Sequence, residues 1–482
     1  MPARAAPSWR PQRVETKQMK FLSGIDGAFL HLETPAMPMH VGSLSLLEPP
    51  PRHRGSFMRN VRRIYEQRLP LAPVLSRKLH EFPLGMANPV WVQVPHVDLD
   101  YHLRHVTLPS PGTQAQFEAC VGQLHSVLLD RAYPLWTVSV IEGRQDGRVG
   151  FYTNIHHAVV DGQAGVELMR TLFDLTRRPR RRAAAARVLS HAEHPWAGQV
   201  IADGLRHDLE QYWKLARNLP AMAKALARSR DTGVPGTARR RPGFGPQTPL
   251  NVAIDAERGF ATASIPLAEV HEIAAAHDAT VNDVVLSVCA GALRRYLGRH
   301  GGVPKQPLVA AMPVSLHGPG KVELTTQATI ARVDLATDIA DPVRRLRAIR
   351  DATHVAKANL SRTKSLVPMD FPTIGMPWLL HGLTSVYGHP SVANRVPRVV
   401  NLVVSNVHGP PRPMYLAGAR VLHHWPLSIV GHGLGLNVTV ESYAGSLEFG
   451  VMTALAAVPR PGTFAKGLLA AFEQLQARSL AG

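Results

Sequence analysis

The chain has only two cysteines in 482 residues, Cys120 and Cys289, far apart and in no metal or redox spacing. That argues against a disulfide-stapled scaffold and fits a reducing compartment. Nowhere does a run of about 18 apolar residues occur, the length a spanning helix needs. No Gly-x-Ser-x-Gly elbow is present, which disfavours a hydrolase working through a covalent serine. Residues 1–20 lack an apolar stretch of signal-peptide length and instead carry Arg4, Arg10, Arg13, Lys17 and Lys20 among prolines; they read as a disordered leader. Acidic residues are also scarce, 35 against 54 Lys and Arg, for a formal charge of +19. Such a field favours anionic partners: lipid headgroups, a phosphorylated co-substrate or nucleic acid. Much of it lies in tracts, Arg177, Arg178, Arg180, Arg181 and Arg182, then Arg239, Arg240 and Arg241. Solvated loops and membrane attraction both account for them. Nucleic acid fits poorly, because the tracts lack interleaved aromatics and no zinc-finger or RNA-binding signature occurs.

What is present is an apolar fraction of 45%, normal for large buried cores, and a length that suits two domains with a connector. Residues 21–176 form a first segment. Its strands are expected near Met39–Leu47, Val90–Val97, Trp136–Glu142 and Arg148–Asn154, with helices over Phe57–Arg68 and Ala115–Leu129. Gly143 to Gly147 reads as a hairpin turn between the last two strands. Residues 177–249 form a basic, partly helical connector around Trp196–Arg230. Residues 250–482 form a second segment. Strands are expected near Arg258–Pro266, Leu308–Pro313, Thr325–Asp334, Val399–Ser405, Leu434–Glu441 and Ser446–Val451. Helices are expected over Leu267–His277, Val281–His300, Asp341–Ala358 and Thr463–Ala477. Strands and helices alternate in both halves, which implies an α/β (α+β) architecture of two similar domains.

The most informative stretch is Asn154-Ile-His-His-Ala-Val-Val-Asp-Gly162. A strand ends, two histidines follow at its exit, then come Asp161, Gly162 and a helix with Val166, Met169, Leu172 and Phe173 as its apolar stripe. Histidine titrates near neutrality, so it can take a proton from an alcohol and later return it to a leaving group. A strand-to-helix turn fixes the ring. Asp161 can cap the helix or pair with an arginine, and Gly162 supplies backbone freedom. A metal site fits less well, since neighbouring strand side chains face opposite ways and no third ligand at standard spacing is evident. An ordinary buried pair of His157 and Asp161 is the bland alternative.

These residues resemble the His-His-x-x-x-Asp-Gly motif of the bacterial wax ester synthase/diacylglycerol acyltransferases. The resemblance covers most of the chain. Leu22–Leu30, Glu33-Thr-Pro35 and Met39-His-Val-Gly42 are similar to that family's opening, Pro134-Leu135-Trp136 to its Pro-Leu-Trp element, and Thr280–Leu286 to its Asn-Asp element. Met312–Leu316, Ser405–Pro410 and Asn437–Gly450 are similar to its C-terminal blocks. The histidine motif alone is shared with chloramphenicol acetyltransferases, peptide-synthetase condensation domains and plant acyltransferases; the ordered set is more specific. One departure is His408, where the family more often has proline, and it puts the local loop conformation in question.

The resemblance implies two chloramphenicol-acetyltransferase-like domains, mixed sheets flanked by helices, with an active-site tunnel between them. It implies His157 as general base, His156 in support and Asp161 as a structural ion-pair partner. Gly162, Asn282 and Asp283 shape the substrate site, Asn282 as an oxyanion donor or else a helix cap. Pro134, Leu135 and Trp136 line the acyl channel or simply pack the core. The expected reaction moves an acyl group from acyl-CoA to diacylglycerol or a long-chain alcohol in a ternary complex. Acyl-CoA is a co-substrate, and no metal or redox cofactor is expected. Partition to the inner membrane face or lipid droplets in the cytoplasm is expected from the charge. The alternatives are a condensation-type acyltransferase with a carrier-bound thioester, or a non-catalytic lipid-binding module of the same fold.

Overall fold

The computed structural model describes residues 20–50, 56–160, 162–178, separate positions between 198 and 220, 244–315, 328–363, 376–387 and 398–480. The expected leader, apart from Lys20, lies outside this set, as do Asp161, Arg180, Arg181, Arg182, Arg239, Arg240 and Arg241. The first half comprises β1 (Lys20–Phe21), α1 (Gly24–Leu32), β2 (His40–Glu48), α2 (Phe57–Arg68), β3 (Arg77–His80), β4 (Val90–Gln93), α3 (Leu99–His102), β5 (Leu103–Thr107), α4 (Gln114–His125), β6 (Trp136–Glu142), β7 (Val149–His156) and α5 (Gly162–Leu172). The second comprises β8 (Arg258–Pro266), α6 (Leu267–Ala276), α7 (Val281–Arg299), β9 (Val309–Ser315), β10 (Ala328–Asp334), α8 (Pro342–Thr363), α9 (Met376–Tyr387), β11 (Leu402–His408), β12 (Tyr415–Leu416), β13 (Ala419–Leu427), β14 (Leu436–Tyr443), β15 (Ser446–Ala454) and α10 (Pro461–Leu480). Among the described residues no helix is long and apolar enough to cross a membrane.

Local chemistry sets the ends of these elements. Ser23 caps α1, its Oγ accepting the Asp26 amide at 3.1 Å, and Thr113 with Gln116 forms a capping box on α4. The expected hairpin joins β6 to β7 antiparallel, and Gly143 and Gly147 take the positive φ values of 90° and 69° that its turn demands. β7 continues past Asn154 to His156, because His40 on β2 offers a ladder partner there.

Two six-stranded mixed sheets carry the architecture, one ordered β12-β13-β2-β7-β6-β5 and the other β10-β9-β11-β14-β15-β8. A small third sheet, β1-β4-β3, lies beside them. β12 and β13 come from the second half of the chain yet join the first sheet, β13 pairing antiparallel with β2 from Arg420↔Glu48 to Leu427↔Gly42. β13 carries two histidines and a proline in nine residues, so its periodicity is a poor strand signal; the open edge of β2 decides its conformation.

The sheets meet at β13. A Cβ on Gly450 of β15 would stand 1.7 Å from the Pro426 carbonyl oxygen, so only glycine permits this approach. Beside it lies a buried polar seam. His424 Nδ1 is 2.8 Å from Ser45 Oγ, and its Nε2 is 3.9 Å from Glu441 Oε2. His423 Nδ1 is 3.1 Å from Glu448 Oε1, and Trp425 Nε1–H donates to Ser264 Oγ at 3.1 Å. Glu441 and Glu448 are cross-strand partners; burial, and secondarily the charge of Glu448, pushes the Glu441 carboxyl up to about 8. Further along, α4 packs on β8, where Glu118 Oε1 accepts from the amide and hydroxyl of Thr262 at 2.9 and 2.7 Å. One apolar core spans this junction, joining Leu44, Phe117 and Tyr152 of the first half to Phe260, Leu427 and Val440 of the second.

Candidate active site

The histidine pair sits where β7 leaves its sheet. The His156 amide donates to the Leu135 carbonyl at 3.0 Å, and the His157 amide donates to the Met39 carbonyl at 2.9 Å. Successive amides therefore engage the strand on either side, and the two rings go to opposite faces.

His156 is fully buried. Its Nδ1 accepts the Ala158 amide at 3.1 Å, which assigns the proton to Nε2, 3.3 Å from Glu33 Oε1. His40 repeats the arrangement: Asn154 Nδ2 lies 3.3 Å from its Nδ1, and its Nε2 is 3.4 Å from the same carboxylate oxygen. Both contacts are at ion-pair distance but outside hydrogen-bond geometry. The Met39 amide donates to Glu33 Oε1 at 3.2 Å, and Arg131 Nη2 reaches Glu33 Oε2 at 3.3 Å and the Leu30 carbonyl at 2.7 Å. Burial alone would raise the Glu33 carboxyl, but His156 and His40 outweigh it and hold it well below the usual carboxylate range. Burial lowers His156 despite Glu33, so its ring stays neutral. The charges balance as one carboxylate against the Arg131 guanidinium.

His157 is only half-buried, whereas His156 is sealed. Its ring lies against Phe29 of α1, centroids 3.9 Å apart and planes 14° from parallel. Burial pulls it down to about 4, opposed by its own backbone carbonyl and helped by His156. Nδ1 is buried and, among the described residues, has no partner in hydrogen-bond geometry. The arrangement holds a neutral imidazole in a fixed plane with part of the residue open, as a general base requires.

The second half of the chain reaches the same place. Arg258 Nη2 donates to the Ala36 carbonyl at 2.6 Å, in the segment between α1 and β2. His31 on α1 meets His381 on α9, ring centroids 5.6 Å apart. α5, which follows the motif, is anchored by Arg68: its Nη1 donates to the Leu172 carbonyl at 2.6 Å, and its Nη2 pairs with Asp174 at 2.6 Å.

The other expected site residues fall into three groups. Asp161 lies outside the described residues, and Gly162 opens α5. Pro134, Leu135 and Trp136 are buried beside the histidines; Trp136 donates Nε1–H to the Leu75 carbonyl at 2.8 Å and stacks on His102 and Tyr65. In the second half, Thr280 rather than Asn282 is the N-cap of α7. Asp283 Oδ2 accepts from the Thr280 amide and hydroxyl at 2.8 and 2.7 Å, while its Oδ1 accepts from Thr353 at 2.6 Å. Asn282 donates to Met312 Sδ at 3.2 Å and, among the described residues, is not hydrogen-bonded to either histidine. Sequence reasoning overlooked Phe29, Glu33, His40 and Arg131 as parts of the site. The first three stood inside the opening blocks Leu22–Leu30, Glu33–Pro35 and Met39–Gly42, where a buried-type histidine and a glutamate flank a turn. Arg131 carried no local signal.

Residues 22–285 match the wax ester synthase/diacylglycerol acyltransferase catalytic domain, and residues 326–476 match the WS/DGAT C-terminal domain. A putative diacylglycerol O-acyltransferase of Mycobacterium tuberculosis is 34% identical over 438 residues, 91% of this chain and 95% of that protein. A probable diacylglycerol O-acyltransferase of the same organism is 32% identical over 448 residues, 90% and 94% of the two chains. The solved wax ester synthase/diacylglycerol acyltransferase of Marinobacter aquaeolei superposes with a TM-score of 0.68 at 27% identity, covering 96% of this chain and all of that one. The first condensation domain of the calcium-dependent antibiotic synthetase shares the fold, with a TM-score of 0.57 at 15% identity over 95% and 97% of the chains.

Proposed function

Because this chain belongs to the wax ester synthase/diacylglycerol acyltransferase family, and is an acyltransferase making triacylglycerol or wax esters, we propose that His157 is its general base and acyl-CoA its donor. The observation that supports this is the His157 ring, neutral, planar against Phe29 and half open. The two substrates meet in one ternary complex at the junction of the halves, so much of the entropic barrier is met on binding. With the proton kept on the sealed Nδ1, facing its own carbonyl, Nε2 takes the proton of the acceptor hydroxyl. The oxygen forms a bond to the thioester carbonyl carbon, the carbon–sulfur bond breaks, and the leaving thiolate receives the proton back from His157.

The surrounding residues have distinct parts. Asn282 donates to a thioether, a weak acceptor, so its amide can turn to a developing oxyanion at little cost. Asp283 positions it by holding the start of α7. His156 acts through Glu33 to fix the strand exit, Gly162 opens α5, and for Asp161 the part proposed is the structural one that the family resemblance implies. Pro134, Leu135 and Trp136 form a rigid wall for the acyl chain. The net positive charge favours attachment to a membrane or lipid-droplet surface, where both acceptor classes dissolve.

Release of the CoA thiol from palmitoyl-CoA, with diacylglycerol or a long-chain alcohol as acceptor, tests the reading. His157→Ala is expected to lose roughly 10²–10⁴-fold in turnover while the fold survives. Near-normal turnover would remove His157 from the reaction, and product analysis across acceptors ranks the two classes.

A further inference from the structure

The helical stretch over residues 208–213, with the helical positions just before it, is inside out. Its buried positions are Gly204, Asp208 and Gln211, while Leu205, Leu209, Tyr212 and Trp213 are 53%, 71%, 50% and 71% exposed. The exposed apolar set recurs at i, i+4, i+7 and i+8, one face of a helix, and on an ordinary surface helix that face turns inward. Here it points to solvent, and the described positions on the contact side are small or polar. A Cβ on Gly204 would come within 2.6 Å of Phe82 Cε2, so the backbone at Gly204 sits directly on that ring. Two residues beyond Phe82, Leu84 is 85% exposed with φ of 58°, and Met86 is 36% exposed. A leucine held in the left-handed region and left in water is a further exposed apolar group, two residues from the ring that Gly204 meets.

The sequence that contains this stripe is strongly basic. Residues 177–249 contain fifteen Lys and Arg against five Asp and Glu, more than half of the chain's net charge of +19. On the stretch itself Arg206 and Arg217 are exposed, as is Glu210, whose Oε1 lies 3.8 Å from Arg206 Nε. An outward apolar face with tyrosine and tryptophan, set in a strongly basic segment, matches a surface that is apolar inside and anionic at its rim. Resting on the reading that the acceptor is a membrane-soluble lipid, we propose that Leu205, Leu209, Tyr212 and Trp213, with Leu84, form the face by which the enzyme docks on an anionic lipid surface.

The test is flotation of the full-length chain with phosphatidylcholine vesicles, with and without phosphatidylglycerol. The parent is expected to float with the anionic vesicles, and Leu209→Glu/Trp213→Glu to lose at least about tenfold in bound fraction. CoA release with a short, water-soluble alcohol should be the same in both, since neither residue belongs to the catalytic machinery. Flotation scores the surface and CoA release scores the reaction, so the two readings fail separately. Equal flotation of parent and variant overturns the proposal. So does a parent that is dimeric by light scattering beside a monomeric variant with unchanged vesicle binding, which makes the stripe an interface between copies. The conservative Trp213→Phe variant reports independently of any folding defect: quenching by brominated lipid must be weaker than in the parent, and undiminished quenching counts against docking through this face.

Discussion

The ring of His157 lies face to face with that of Phe29, 3.9 Å between centroids. Phe29 belongs to α1 and His157 to the exit of β7, so one stacking contact ties the ring of the proposed base to a different element. Phe29→Leu keeps the apolar bulk and removes the plane. An aromatic pair is worth about 0.5–1.5 kcal/mol, so kcat should fall by ~2–10-fold with KM less affected. Steady-state kinetics with palmitoyl-CoA decides it; an unchanged kcat means that the ring is oriented by other contacts.

The acid limb of activity should be displaced. A free imidazole is half protonated near pH 6.5, whereas burial holds His157 near 4. The base is active when unprotonated, so kcat/KM should stay level through pH 6.5 and decline only towards pH 4. A limb centred on pH 6.5 would show that the ring is fully hydrated in the free enzyme.

Glu33 gathers His156, His40, Arg131 and the Met39 amide on one buried carboxylate. Glu33→Gln removes the charge and leaves Arg131 only the more distant, exposed Glu81 as counter-ion, 4.0 Å away. A buried group deprived of its partner costs about 1–3 kcal/mol, and the partial exposure of Arg131 places the loss near the lower end. Differential scanning calorimetry should show a lower melting temperature, and turnover should fall as well, because the strand exit beneath His157 loosens. The folded pKa of Glu33 is depressed, so its contribution is present above the ordinary carboxylate range and is lost as pH falls through the folded value. The parent should therefore lose its advantage over Glu33→Gln in strong acid.

Glu441 runs the other way. Its carboxyl is raised from 4.5 to about 8, so the folded chain holds a proton that the unfolded chain releases across that interval. Stability from this group is complete below pH 4.5 and is lost as pH rises towards 8. Glu441→Gln should flatten the fall, with its melting temperature gaining on the parent's from pH 5 to pH 9. Parallel curves for the two proteins would mean that the carboxyl titrates normally.

Much of this was legible beforehand, and the gaps have physical causes. The β6–β7 hairpin, α2 and α7 carry their own periodicity and turn residues, so local pattern was enough. The candidate turn stood out because two histidines at a strand exit, before Asp161 and Gly162, suit a held base. Glu33 and His40 were not read as site residues, since their meaning arises only when β2 pairs with β7 and sets His40 beside His156. Asn282 and Asp283 read together as shaping the site, with the helix-cap alternative placed on Asn282. Helix geometry separates them, turning Asp283 back onto Thr280 and Thr353 and leaving Asn282 against Met312. β13 stayed hidden because its strand character is imposed by β2, hundreds of residues earlier.

That same strand dictates an order of events during synthesis. β2 emerges from the ribosome early, but the strand that closes its edge is complete only at Leu427. Until then the nascent first half carries an open sheet margin, the kind of edge that recruits other chains. A chain truncated before residue 415 would keep that margin permanently and is expected to associate through it.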